Sequence, residues 1–202
     1  MRWRSWVVAV LGLMSAAPAQ AAGFDVAQMA RDLGVSEVRA GLFLHDIELK
    51  YGFPFALDYS TVDLGKWQNL TTELLFDLPD VDALHWLGSP RVGLSTSLNF
   101  AGKESYARLA AVWHVPVFET GIFVEPMAGG AVHNGYLENA PVGQRNLGCR
   151  FLYFYGANVG YEITDTMSAM VTVEHASHWA QCEPTANDGI NRLGIRVGWK
   201  LN

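Results

Sequence analysis

The chain has 202 residues, half of them hydrophobic, and its 20 acidic against 14 basic residues give a formal net charge of −6, so there is no basic field for nucleic acid. Beyond the N-terminus no stretch approaches the ~20 consecutive apolar residues of a spanning helix. The apolar content must therefore be spread along the chain, as alternating strands spread it.

Residues 1–21 read as a secretory signal peptide, with Arg2 and Arg4 ahead of an apolar run from Trp6 to Met14 and Ala19-Gln20-Ala21 as the cleavage signal. The mature chain, 22–202, is then a single domain, and residues 24–35 form a short helical turn or a loose lead-in. Eight segments follow that alternate with period two: 36–45, 67–76, 91–100, 106–114, 120–132, 148–161, 166–178 and 190–201. The clearest set Val92, Leu94, Thr96 and Leu98 against Gly93, Ser95, Ser97 and Asn99, and Leu193, Ile195, Val197 and Trp199 against Gly194, Arg196 and Gly198. Such segments, about ten residues long with turns between them, predict an all-β fold, an eight-stranded antiparallel outer-membrane β-barrel.

The faces support lipid outside. Phe151, Tyr153, Tyr155, Val159, Tyr161, Val171 and Val173 alternate with Gly156, Asn158, Gly160, Ser168 and Thr172, small or polar groups that suit a narrow interior. The competing arrangement is a secreted lipocalin-like barrel with an apolar inside. With both termini in the periplasm, Trp113, Tyr161 and Trp199 fall at the periplasmic rim, Trp179 at the outer rim, and segments 46–66, 133–147 and 179–189 are extracellular loops. The connection 77–90 is long for a periplasmic turn. Export also makes a disulfide between Cys149 and Cys182, the two cysteines of the chain, the natural expectation. No cofactor is expected, and no histidine is spaced for a metal site.

His175 and Ser177, two apart on one strand, share a face, so the imidazole is directed to act as base toward the hydroxyl. An isolated His-x-Ser also fits simple rim polarity. A hairpin to the last strand that pairs Ser177 with Asn191, and His175 with Leu193, brings Asn191 onto the same face as an orienter. His133, in a glycine-flanked run at an outer loop, is the most plausible substrate contact among the remaining histidines; His45, His85 and His114 read as rim or loop residues.

Ordered segments along most of the mature chain carry a resemblance: Glu37-Val38-Arg39-Ala40-Gly41 with His45-Asp46, Glu73-Leu74-Leu75, and Pro90-Arg91-Val92-Gly93 with Asn99. They continue with Gly129-Gly130-Ala131-Val132-His133-Asn134-Gly135, Leu147-Gly148-Cys149-Arg150-Phe151, His175-Ala176-Ser177 and Asn187-Asp188-Gly189-Ile190. The chain resembles the PagL-type lipid A 3-O-deacylases and related acyloxyacyl hydrolase-like proteins. That resemblance implies an outer-membrane serine hydrolase of a Gram-negative bacterium that removes an ester-linked acyl chain from the lipid A of lipopolysaccharide, without a metal. A homodimer is a further possibility. Ser177 takes the nucleophile position and His175 the base.

Two positions depart from the family pattern. Asn191 stands where the family has its catalytic acid, and His178 stands where an Asn usually follows the serine and helps bind the oxyanion. Three readings of the first departure stay open: Asn191 orients His175 without charge, Asp188, Glu183 or Glu174 supplies the acid, or the barrel binds envelope lipid without hydrolysing it. Adjacency to His175 sends Glu174 to the barrel interior. For the oxyanion the candidates are the His178 ring and the backbone N–H groups near Trp179 and Ala180.

Overall fold

The computed structural model describes residues 25–47, 62–183 and 185–201, and the signal peptide expected at 1–21 falls outside them. Helix α1 (Val26–Asp32) is capped by Asp25, whose carboxylate accepts from the amides of Ala27 and Gln28 at 3.0 Å. The strands are β1 (Val35–Leu44), β2 (Trp67–Phe76), β3 (Arg91–Asn99), β4 (Tyr106–Val112), β5 (Val115–Pro116), β6 (Ile122–His133), β7 (Phe151–Glu162), β8 (Met167–Ser177) and β9 (Ile190–Lys200). Each long strand pairs antiparallel with its neighbours, β1 with β9, and β4 with β6. The sheet therefore closes into an eight-stranded antiparallel barrel, with the two-residue β5 lying against β6.

Strand β7 begins at Phe151 rather than 148, because Leu147–Arg150 turn through Gly148, whose φ is +64°. The long 77–90 connection contains a short helix, α2 (Asp82–Trp86), and the Trp113 indole donates to the Leu87 carbonyl at 2.7 Å. This end also carries the four-residue turn between β7 and β8, so by the usual asymmetry of outer-membrane barrels it is periplasmic. The opposite end bears the long loops and the Cys149–Cys182 disulfide, with Cα atoms 5.8 Å apart.

Alternation places apolar residues outside and charge inside. Leu70, Leu94, Leu98, Leu109, Val159, Val171, Ile195 and Trp199 are exposed on the wall, whereas Glu37, Arg39, Glu73, Arg108, Glu125, Glu174 and Arg196 are buried within it. This is the reverse of a lipocalin-like barrel and matches a wall bathed in lipid. Interior glycines make room for rings: a Cβ on Gly160 would stand 2.2 Å from the Phe123 ring, and one on Gly194 would stand 2.4 Å from that of Phe43.

Four of the buried glutamates each meet two or more arginines. Glu37 and Glu125 bind Arg39 (2.6 and 2.7 Å) and Arg91 (2.7 and 2.6 Å), while Glu73 and Glu174 bind Arg108 (2.7 and 2.9 Å) and Arg196 (3.1 and 2.5 Å). Removing one member leaves buried charge without its partner, which costs about 3–5 kcal/mol. Arg108→Met is accordingly expected to destabilise the folded barrel by that amount in urea titrations of the micelle-embedded protein. An unchanged midpoint would show that the ladder contributes nothing to stability.

Candidate active site

Strand β8 ends at Ser177, and His175 and Ser177 sit half-buried on its outer face while Glu174 turns inward to Arg108 and Arg196. His175 Nε2 lies 3.0 Å from Ser177 Oγ, and His175 Nδ1 lies 2.6 Å from Asn191 Oδ1. An amide oxygen can only accept, so Nδ1 carries the proton. Nε2 is then left with its lone pair toward the serine, whose hydroxyl donates. The order Asn191, His175, Ser177 is thus a hydrogen-bonded relay with the imidazole in the tautomer a general base requires.

The strand register differs from the sequence expectation. His175 pairs directly with Asn191 and Val173 with Leu193, two residues away from the Ser177–Asn191 pairing expected above. Segment 178–189 is a long, disulfide-tied loop rather than a tight hairpin, so its length does not set the register. A shift of two preserves the face, and Asn191 still reaches the imidazole.

Strand β7 supplies the adjoining wall: Tyr155 pairs with His175 and Tyr153 with Ser177, and the Tyr155 and His175 ring centroids are 4.7 Å apart. On the other side Gly189 (φ +64°) lays bare backbone against the site, where a Cβ would come within 3.2 Å of His175 Cε1. Ile47 donates its amide to the Asn191 carbonyl at 3.0 Å, which ties the loop after β1 to the third residue of the relay. An ion pair between Asp46 and Arg145 at 2.8 Å links that loop to the one after β6.

Beyond Ser177 the backbone is strained, since Trp179 has φ +55°, an unusual conformation for a bulky residue. Asn187 holds this turn with both ends of its amide, accepting from the His178 N–H at 3.3 Å and donating to the Trp179 carbonyl at 2.8 Å. Trp179, Ala180 and Gln181 then close a groove of about 830 Å³ whose other walls are Tyr153, Tyr155, Ala128 and Gly129, with Ser177 at its edge.

Other predicted site residues lie elsewhere. His178 is buried beneath the outer loop, its Nε2 donating to the Ala186 carbonyl at 3.1 Å, so its ring is not turned toward Ser177 as an oxyanion donor. Alternation alone sends it to the opposite face. His133 also points inward: Nε2 donates to the Cys149 carbonyl at 2.6 Å and Nδ1 accepts from the Gly135 amide at 3.1 Å, so both ring nitrogens brace the loop after β6. The Asp188 carboxylate accepts from the Asn146 amide at 2.7 Å, and Glu183 is exposed on the loop beside Cys182. Sequence reading missed Asn187, Gly189, Tyr153 and Tyr155 as parts of the site. The outward alternation of β7 is the signal that marks the two tyrosines.

A family model described as lipid A 3-O-deacylase (PagL) matches residues 68–200, which contain the whole relay. The chain belongs to that family. Among solved structures, the crystal structure of the outer membrane enzyme PagL aligns with a TM-score of 0.53 at 17% identity, covering 81% of this chain and 99% of that one. The N-terminal β-barrel domain of Pseudomonas aeruginosa OprF aligns at 0.48 and 17% identity, over 82% of this chain and 98% of that chain. The search of curated protein sequences finds no match. As a PagL-family barrel with an apolar outer wall, the protein belongs to the outer membrane of a Gram-negative bacterium.

Proposed function

We propose that this protein is a serine esterase that removes the 3-O-linked acyl chain from lipid A, with Ser177 as nucleophile, His175 as general base and Asn191 as orienter. The observation that carries the reading is the continuous relay at 2.6 and 3.0 Å on the lipid-facing wall, at the end of the barrel where lipopolysaccharide resides. Family membership supplies the substrate class. As Ser177 Oγ attacks the ester carbonyl carbon, its proton passes to His175 Nε2. The tetrahedral oxyanion then collapses as that proton moves to the departing sugar oxygen, leaving an acyl-serine. Water, deprotonated by the same nitrogen, releases the fatty acid and restores the serine.

The groove walled by Ala128, Tyr153 and Tyr155 takes the acyl chain beside the ester, and the backbone N–H groups of Trp179 and Ala180 are the donors for the oxyanion. Such donors are worth about 2.7–4 kcal/mol each in hydrolases where they have been removed. Because the site faces lipid, water is scarce around it and its electrostatic contacts are strengthened.

The second reading, a barrel that binds lipid A without cleaving it, is favoured by the neutral amide at position 191. Mass spectrometry of lipid A from cells with and without the protein separates the two. The expected result is loss of one hydroxyacyl mass, with fragmentation assigning it to the 3-O position. An unchanged spectrum under strong expression favours the binder.

A further inference from the structure

We propose that the outer rim carries a second binding site, formed by Lys103 and Arg150, for a phosphate group borne on the sugar of the glycolipid; it rests on the reading of the chain as acting on lipid A. Arg39, Arg91, Arg108 and Arg196 are matched with interior glutamates, Arg145 with Asp46, and Lys200 with Glu162. Lys103 and Arg150 have no carboxylate partner among the described residues; Lys66 and Arg192 share that lack, but Arg192 is buried on Ser97 Oγ and the Glu104 carbonyl, whereas Lys103 and Arg150 meet on one open cavity. In a chain of net charge −6, two cations against one carboxylate, Glu104, on a single cavity are a local feature against the overall field.

Both line a cavity of about 460 Å³ between the β3–β4 and β6–β7 loops, together with Asn134, Tyr136 and Gln144. That volume is within the range of small-molecule sites, and its lining offers hydroxyl and amide groups suited to a saccharide. Arg150 is fixed in advance: its Nη1 donates to the carbonyls of His133 at 2.8 Å and Gly135 at 2.9 Å, which leaves Nε and Nη2 for a ligand. A guanidinium already immobilised loses little further freedom on binding, and a planar fork beside a mobile ammonium suits the oxygens of a phosphate. The carboxylate at this cavity, Glu104, is buried and met by His45 Nε2 at 3.0 Å. Burial works against its charge, but the His45 hydrogen bond holds it below the usual carboxylate range.

The position fits a substrate whose ester lies at Ser177. Tyr153 is paired with Ser177, and Arg150 is three residues further toward the outer end of the same chain segment. At ~3.3 Å per residue and ~4.8 Å between strands, the Ser177 backbone is about 8 Å from that of Phe151, where β7 begins, and Arg150 is the next residue, on the turn. The Phe151 and Tyr153 rings, edge to face at 5.8 Å, occupy the wall between them. A sugar unit with its ester at one end and a phosphate at the other bridges that distance across the two rings.

The test compares lipid A with chemically dephosphorylated lipid A as substrates in mixed micelles. The wild-type protein is expected to favour the phosphorylated form by about tenfold or more in kcat/KM, through KM, as charge-assisted hydrogen bonds imply. In Lys103→Ala/Arg150→Ala the preference is expected to fall below twofold. Lys103→Glu, which leaves the Arg150 brace intact, is expected to invert it. Equal rates on both substrates in the wild type, or a preference untouched by either variant, overturn the proposal while leaving hydrolysis standing. Binding of the two lipids to the Ser177→Ala protein gives the same comparison without turnover. If the wild type cleaves neither substrate yet Ser177→Ala binds only the phosphorylated one, hydrolysis fails and the rim site stands.

Discussion

Ser177→Ala and His175→Ala are each expected to lower the deacylation rate by about 10⁴–10⁶, and the double variant is expected to be no worse than either single one. Residues that act as a unit lose most of their effect when any one is removed, as in subtilisin, where a single nucleophile or base deletion costs about 2 × 10⁶ in kcat. Here the unit is the hydroxyl and the imidazole nitrogen 3.0 Å from it. Folding is expected to be untouched, because Ser177 ends its strand and the barrel is held by ladders and interior ion pairs remote from this side chain. The measurement is release of hydroxy fatty acid from purified lipid A, with the heat-dependent gel shift of the barrel as the folding control. More than a tenth of wild-type activity in Ser177→Ala would sink the assignment. Asp188→Ala gives the contrast: its carboxylate is engaged with Asn146, so only a few-fold change is expected.

The parts of this molecule legible in its sequence are those with short-range causes. Period-two alternation gives all eight long strands, and it also gives their facing, since inward and outward residues differ in polarity along β7, β8 and β9. His175 and Ser177 are legible together because two residues along a strand return to one face. The interior ladder is not, because Glu73, Arg108, Glu125, Glu174 and Arg196 come from five strands and meet only when the barrel closes. The β8–β9 register is missed for a related reason: the connection is long and tied by a disulfide, so no short turn dictates the pairing. His133 and His178 show where pattern and resemblance diverge. Alternation places both on the inner face, which is where they lie, whereas glycine flanking and family position point to the substrate.

Asn191 is the residue whose substitution discriminates most sharply between a tuned and an impaired site. In a serine protease triad, Asp to Asn costs about 10⁴ because the wrong imidazole tautomer results. This site avoids that part of the loss, since the Asn191 oxygen, 2.6 Å from Nδ1, accepts the same Nδ1–H hydrogen bond that a carboxylate would accept. What it lacks is negative charge to stabilise the imidazolium formed during attack. Hydrogen bonds to charged groups are worth about 1.5–3 kcal/mol, or roughly 10- to 150-fold in rate if realised in the transition state. Asn191→Asp is therefore expected to raise kcat by about tenfold or more, and Asn191→Ala to lower it by about 10–10³, because the ring then loses its tautomer and its orientation. Single-turnover rates on lipid A in micelles read both. If the Asp and Ala variants are equally slow, charge at this position works against the site. If neither differs from wild type, His175 is oriented by another group and the relay is not the catalytic unit. A gain with Asp and a loss with Ala would mean that the neutral amide maintains the geometry of an acid-dependent hydrolase while giving up part of its rate.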